Sequence, residues 1–174
     1  IQGNIGSEDL FGGMLKLNKY SLFFDVLYLL IGLLTLIFSQ GYLVKKGTTF
    51  QAEYPALILF SVIGMMLMTR ANDLVILFLG LELLSLSLYV LVGFLRNSLL
   101  SNESGIKYLL LGAFSTGFFL FGASLTYGAT GTTNYNEIAL ALSSKSILSN
   151  IYLSLGIGLL LIGFAFKVAL VPFH

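Results

Sequence analysis

Cysteine and tryptophan are absent from this chain of 174 residues, and histidine occurs once. Without cysteine the chain cannot form a disulfide scaffold, a thiolate zinc site or a cysteine-held iron–sulfur cluster. We therefore expect no metal and no cofactor on this chain, and any redox centre that works with it would have to lie on another chain.

Charge is also scarce, since 10% of the residues are charged and 57% are hydrophobic. A soluble domain of this size carries about a quarter charged residues. The nine basic residues nearly balance the eight acidic ones and are scattered, so they form no continuous basic face for binding nucleic acid. The composition indicates a membrane protein.

The spacing of the charges predicts an all-α, polytopic transmembrane helix bundle, because a spanning helix needs roughly 20 mainly apolar residues. We expect residues 1–174 to form a single membrane domain, with residues 1–20 and the loop 128–149 outside the membrane. One short amphipathic helix is expected around 135–143. The five predicted spans are about 22–43, 54–70, 73–95, 105–127 and 150–173.

Basic residues near the span ends leave the orientation close to a tie under the positive-inside rule. The residues in the short loops count for more, which favours Lys45, Lys46 and Arg96 on the negative side of the membrane. Arg70, at the end of the second span, is expected to extend its head group to the interface. The two groups are Lys16, Lys19, Arg70 and Lys145 against Lys45, Lys46 and Arg96.

Two charges lie well inside predicted spans. Glu82 is about nine residues from the start of the third span, and Lys167 lies past the middle of the fifth. An ionised side chain at the centre of a span costs roughly 2.5–3.5 kcal/mol on insertion scales. We therefore predict that Glu82 and Lys167 face each other, in direct contact or through one water.

This pair has two interpretations, a structural ion pair between helices or a pair of groups that handle protons. Pro172 favours the second, because proline removes a backbone donor to the carbonyl of Val168, beside Lys167. Broken helices inside membranes are tolerated where they line a wet cavity. The sequence predicts loss of regular helical hydrogen bonding between about Gly163 and Pro172.

Two further groups are open to both interpretations. Lys107 stands four residues after Glu103, the favourable order for an ion pair within a helix, and it is near enough to the helix start to reach the interface. His174 is a lone histidine at the last position, and the residues around it favour neither a metal nor a proton role.

Three segments resemble subunit 2 of the proton-pumping NADH:ubiquinone oxidoreductase, respiratory complex I, in its mitochondrial form. They are LELLSLSLYVL at 81–91, SNESGIKYLLLGAFSTGFFLFGASLTYGATGT at 101–132 and LIGFAFKVALVPFH at 161–174. These segments cover the last three spans, and the order of Glu, Lys-Tyr, Gly-Ala and Lys followed by Pro-Phe-His is specific to this family.

The resemblance implies a fold of 14 transmembrane helices that contains two inverted five-helix repeats. Glu82 would lie on the fifth helix, Lys107 on the sixth and Lys167 on a discontinuous seventh. The five spans would be helices three to seven, so we expect a fragment or a split subunit that covers nearly one repeat.

The resemblance also implies a function, proton translocation coupled to quinone reduction elsewhere in the complex. Glu82 would stabilise protonated Lys167, and loosening of their contact would let the proton move on, with Lys107 and His174 as secondary members of the path. The implied partners are other membrane-arm subunits, lipids and a polypeptide with the remaining helices. Flavin, iron–sulfur clusters and quinone would lie on other subunits, which makes this a non-redox subunit of the enzyme.

The implied location is the mitochondrial inner membrane, or the plasma membrane in bacteria. Two alternatives share the Glu and Lys positions: a subunit of a multisubunit cation/proton antiporter and the plastid counterpart of this enzyme. A third is a membrane anchor in which Glu82 and Lys167 merely pair. Replacement of both by apolar residues would distinguish the anchor, because a structural pair can be exchanged with little loss.

Overall fold

The computed structural model describes residues 8–47, 52–143 and 150–171, and the fold in these ranges is almost entirely helical. The expected all-α membrane bundle is confirmed, with one antiparallel hairpin at the N-terminal side that the sequence analysis did not predict. The elements are β1 (Glu8–Leu10), β2 (Leu15–Leu17), α1 (Lys19–Lys45), α2 (Glu53–Arg70), α3 (Leu74–Val92), α4 (Leu99–Thr130), α5 (Tyr135–Leu142) and α6 (Ile151–Lys167).

Each of the five predicted spans corresponds to one of these helices. Helices α1 to α4 are long and apolar enough to cross a membrane, while α6 has 17 residues. That length is at the lower limit for a span, roughly 17–25 residues. The short helix predicted around 135–143 is α5.

Side-chain caps determine where several helices begin. Asn18 and Ser21 form a reciprocal capping box at α1, and the Asp73 carboxylate accepts from the backbone of Val75 at α3. Ser98 caps α4, so this helix begins at Leu99 and the predicted start at 105 was wrong. Helix α4 also continues to Thr130, past the predicted start of the loop at 128.

Glycines allow close approach between neighbouring helices. A Cβ at Gly64 of α2 would lie 2.8 Å from the carbonyl oxygen of Gly80 of α3, and a Cβ at Gly122 of α4 would lie 2.7 Å from that of Gly156 of α6. Such small residues let helix backbones meet inside membranes. The chain therefore packs in the order α1, α2, α3, α4, α6, which brings the end of α6 towards α3.

Polar contacts at one end of the bundle join three segments that are distant in sequence. The Asn72 side chain donates to the Gly13 carbonyl of the hairpin at 2.8 Å, and the Tyr135 backbone donates to the Asn72 carbonyl at 3.0 Å. The Thr133 hydroxyl donates to Asp73 at 2.6 Å. We call Gly13, Asn72, Asp73, Thr133 and Tyr135 the hairpin clasp.

Candidate functional site

Glu82 of α3 and Lys167 of α6 meet in the interior of the bundle. Lys167 Nζ lies 3.6 Å from Glu82 Oε1, and the two side chains are 17% and 21% exposed. The close approach predicted from the cost of isolated charges is confirmed. The ammonium lies in the last turn of α6, where the helix dipole favours a cation.

Three hydroxyl groups surround this pair. Lys167 Nζ donates to Ser85 Oγ at 2.7 Å and to Tyr89 Oη at 3.2 Å. The Thr116 hydroxyl of α4 donates to Glu82 Oε1 at 2.7 Å. The charged groups therefore have hydrogen-bond partners inside the bundle, as buried charges require.

The sequence analysis did not identify these three hydroxyl residues. Ser85 and Tyr89 follow Glu82 by three and seven residues, which places them on the same face of α3. That spacing was a usable signal. Thr116 comes from another helix, and its contact with Glu82 depends on how α4 packs against α3.

A small cavity adjoins the pair. Its volume is about 10 Å³, at the lower limit for holding one water molecule. Glu82, Thr116 and Lys167 supply polar groups to its wall, and the remaining lining residues are Phe78, Leu81, Phe119 and Gly163. A single water in this cavity would have the polar partners that a buried water needs.

Regular helical hydrogen bonding in α6 ends beside Lys167. The Ala169 backbone donates to Phe166, Leu170 donates to Ala165 at 2.8 Å, and Ala169 has a φ of 52°. This is a Schellman motif with an unusual alanine at its left-handed position. The predicted loss of regular hydrogen bonding from about Gly163 was placed too early, because α6 stays regular to Lys167 and the Val168 backbone still donates to Phe164 at 3.0 Å. Pro172 and His174 lie outside the described residues.

Lys107 is not brought to this site. Its ammonium pairs with Glu103 one helical turn earlier in α4, and both side chains are more than half exposed. The local ion pair anticipated from the sequence is confirmed. A role for Lys107 or His174 in a proton path stays a prediction.

A second, partly buried ion pair was missed by the sequence analysis. Asp25 of α1, 6% exposed, pairs with Arg70 of α2, and Tyr28 and Thr69 hydrogen-bond beside them at 3.0 Å. The Arg70 side chain is 32% exposed, so the expectation that its head group extends to the interface stays a prediction. Asp25 lies inside the first predicted span, about 22–43, near its start, and the sequence analysis gave it no role.

The polar groups of the site are an acid, a base and hydroxyls. An ammonium and a carboxylate are hydrogen-bonded by three hydroxyls, and the two charged groups and Thr116 line a space for about one water. Within residues 8–47, 52–143 and 150–171, no cluster of His, Asp and Glu side chains could hold a metal ion.

Sequence comparison relates the chain to membrane subunits of respiratory enzymes. The pattern of the NADH:quinone oxidoreductase/Mrp antiporter transmembrane family matches residues 71–174. NADH-quinone oxidoreductase subunit N of Trichlorobacter lovleyi is 48% identical over 164 residues, which are 94% of this chain and 34% of the relative. Subunit N of Chloroflexus aggregans is 47% identical over 167 residues, again 94% and 34%.

Solved structures agree with this relationship. A chain of respiratory complex I from Thermus thermophilus superposes with a TM-score of 0.73 at 33% identity, over 97% of this chain and 34% of that one. A chain of an archaeal membrane-bound sulfane sulfur reductase gives 0.63 at 31% identity, over 70% and 24%. The chain spans about a third of the length of the curated relatives it matches.

Proposed function

The chain belongs to the NADH:quinone oxidoreductase/Mrp antiporter transmembrane family, and from this premise we propose that it is part of a proton-translocating membrane-arm subunit of an NADH:quinone oxidoreductase. The names of the bacterial relatives and of the complex I structure support this enzyme over an antiporter. The chain would contribute no redox group of its own. Flavin, iron–sulfur clusters and quinone would belong to other subunits of the same complex.

One observation carries the proposal, the placement of Lys167 Nζ 3.6 Å from Glu82 in the interior of a membrane bundle. The distance is longer than a hydrogen bond, so the ion pair is loose. The cavity beside it has room for about one water, through which a proton could move to or from the pair.

In the proposed cycle, Lys167 takes up a proton while the carboxylate of Glu82 stabilises the ammonium. A rearrangement that draws Glu82 away then leaves the ammonium without its counter-charge, and the proton passes to water. Thr116 holds the carboxylate in place between these events through its hydrogen bond to Oε1. The partners would be other membrane-arm subunits, lipids and the remaining helices of the subunit, and the membrane would be the mitochondrial inner membrane or a bacterial plasma membrane.

The first prediction tests whether Lys167 carries the proton. Lys167→Met keeps most of the side-chain volume and removes the charge, and Glu82 can stay buried in its protonated form. We expect the complex to assemble but to show strongly reduced proton uptake and, because electron transfer and pumping are coupled, reduced NADH:quinone turnover. The measurement is both rates in vesicles, normalised to assembled complex.

Lys107→Met is the matched control, since Lys107 pairs with Glu103 on an exposed face of α4. It should lower both rates less than Lys167→Met does. An assembled Lys167→Met complex that pumps at the wild-type rate would show that Lys167 is structural, and the membrane-anchor interpretation of the pair would then hold.

A further inference from the structure

Lys167 makes its hydrogen bonds to hydroxyl groups, and its carboxylate partner is farther away. The Nζ atom lies 2.7 Å from Ser85 Oγ and 3.2 Å from Tyr89 Oη, both within the range of a hydrogen bond, against 3.6 Å to Glu82 Oε1. Glu82 Oε1 is itself engaged by Thr116 at 2.7 Å.

The geometry of α3 explains this arrangement. Glu82, Ser85 and Tyr89 follow one face of the helix over about 10 Å, at a rise of ~1.5 Å per residue. A lysine side chain that reaches this face can therefore lie against the carboxylate or against the two hydroxyls. In the structure it lies against the hydroxyls.

Hydroxyl groups suit both protonation states of an amine, because they accept hydrogen bonds from an ammonium and donate to a neutral nitrogen. A carboxylate only accepts. We propose that Ser85 and Tyr89 are positioning residues for Lys167, which hold its ε-amino group in one place in both protonation states and away from direct contact with Glu82. The inference rests on the proposed function, since it concerns the lysine that would carry the proton.

The surroundings of Tyr89 favour holding over proton relay. Tyr89 is 6% exposed, and its hydroxyl occupies a notch at Gly112, where a Cβ would lie 1.9 Å from the Oη atom. Tyr89 also lines an open groove of about 660 Å³ between α3 and α4. The groove wall is mainly apolar, with Leu86, Val90, Ile106 and Leu109, and its polar lining residue Asn102 carries an amide, which is not a base.

Two conservative substitutions, Ser85→Ala and Tyr89→Phe, test the proposal because each removes one oxygen and leaves the packing in place. In the double variant the amino group is free to form a direct ion pair with Glu82. We expect the assembled complex to lose about tenfold in proton uptake, in line with the strength of hydrogen bonds to a charged group. The pH dependence of uptake should also be displaced, because the double variant removes both hydroxyls that hydrogen-bond to the Lys167 amino group.

Matched controls are available on the same elements. Ser87 is 4% exposed on α3 and donates to the Leu83 carbonyl at 2.8 Å. Tyr108 packs its ring edge-on against Tyr89 with centroids 4.7 Å apart. Ser87→Ala and Tyr108→Phe should keep the wild-type rate and pH profile, because the hydroxyls that hydrogen-bond to Lys167 are those of Ser85 and Tyr89.

The outcomes separate this proposal from the function itself. If Lys167→Met is inactive while the double variant keeps the wild-type rate and pH profile, the positioning role is wrong and the proton path stands. If Lys167→Met pumps normally, the proposed function has failed. If the double variant and both single variants fail to assemble, the hydroxyls are structural and the positioning proposal is overturned.

Discussion

Two buried ion pairs in this chain differ in their surroundings. Around Lys167 and Glu82, hydroxyl groups satisfy both charges and leave the pair 3.6 Å apart. Asp25 and Arg70 are in direct contact, and the buried atoms Asp25 Oδ1 and Arg70 Nε have no hydrogen-bond partner among the described residues. The first arrangement permits movement of an ammonium between partners, and the second holds two helices together.

Tyr135 in the hairpin clasp gives a prediction about alkaline pH. Burial, followed by the nearby charge of Asp73, raises the pKa of Tyr135 to about 12. The unfolded value is about 10, so the folded state holds this proton more tightly. The resulting stability is fully present below about pH 10 and is lost as the pH rises towards 12.

The measurement is the tyrosinate absorbance of the full-length protein minus that of Tyr135→Phe. We expect a difference titration with a midpoint near 12 and weaker attachment of the hairpin above that pH. A midpoint near 10, the ordinary value for tyrosine, would contradict the burial of Tyr135 beside Asp73.

At the scale of elements, the packing of α2 on α3 depends on glycine. A Cβ on Gly64 would lie 2.7 Å from the Leu84 backbone nitrogen and 2.8 Å from the Gly80 carbonyl oxygen. Both are backbone atoms, so a side chain at Gly64 can be accommodated only if the helices separate. Since Glu82 lies in the same stretch of α3, this contact also helps to determine where the carboxylate sits.

Gly64→Ala should therefore destabilise the protein by about 1–3 kcal/mol, the usual cost of overpacking a core. The measurement is the thermal midpoint of the full-length protein in detergent. Gly117→Ala is the control, because a Cβ at Gly117 of α4 meets nothing within 4 Å. It should leave the midpoint unchanged or raise it, since alanine favours a helix by up to ~1 kcal/mol. Equal midpoints for the two variants would refute the close α2–α3 contact.

The Schellman motif at the end of α6 determines where this helix stops. Its two backbone hydrogen bonds satisfy the carbonyls of Ala165 and Phe166 and end the helix directly after Lys167. Helix α6 therefore ends where the side chain of Lys167 contacts α3.

In the whole molecule, α1 is the least enclosed of the four long helices. In its most apolar stretch of 18 residues 17% is buried, against 28% in the corresponding stretch of α4. Its contacts with α2 include Asp25 with Arg70, Tyr28 with Thr69, and Gly32, where a Cβ would lie 2.9 Å from Val62. The ion pair and the tyrosine contact lie towards the hairpin end. We infer that Asp25 and Arg70 set the position of α1 on the bundle.

Arg70→Leu should loosen α1, because it leaves the carboxylate of Asp25 buried without a cation, which typically costs ~3–5 kcal/mol. The absence of native cysteine makes a crosslinking test clean. Gly32→Cys with Val62→Cys should form a disulfide readily in the parent protein and several-fold more slowly with Arg70→Leu, where lost helix contact lowers the chance of meeting.

The further substitution Asp25→Leu should restore much of the crosslinking rate, since replacing both members of a buried pair by apolar residues is often nearly neutral. If Arg70→Leu left the crosslinking rate unchanged, the apolar contacts alone would position α1.

The amino-acid sequence by itself determined that this is a helical membrane bundle and roughly where its helices lie, and it predicted that Glu82 and Lys167 approach each other. These follow from local quantities, namely the length of apolar runs and the cost of placing a charge inside them. The same reasoning failed at Ser98, where a weak cap began α4 earlier than the apolar run suggested.

Only the tertiary structure decided which polar groups share the interior with those charges. Thr116 reaches Glu82 because α4 packs against α3, and Arg70 turns to Asp25 because α1 packs against α2. The sequence shows a serine, a threonine or an arginine at each position but not which helix will lie opposite. Hydrogen bonds act over about 3 Å, so the hydrogen-bond partner of a buried group is selected by helix packing, which no single span encodes.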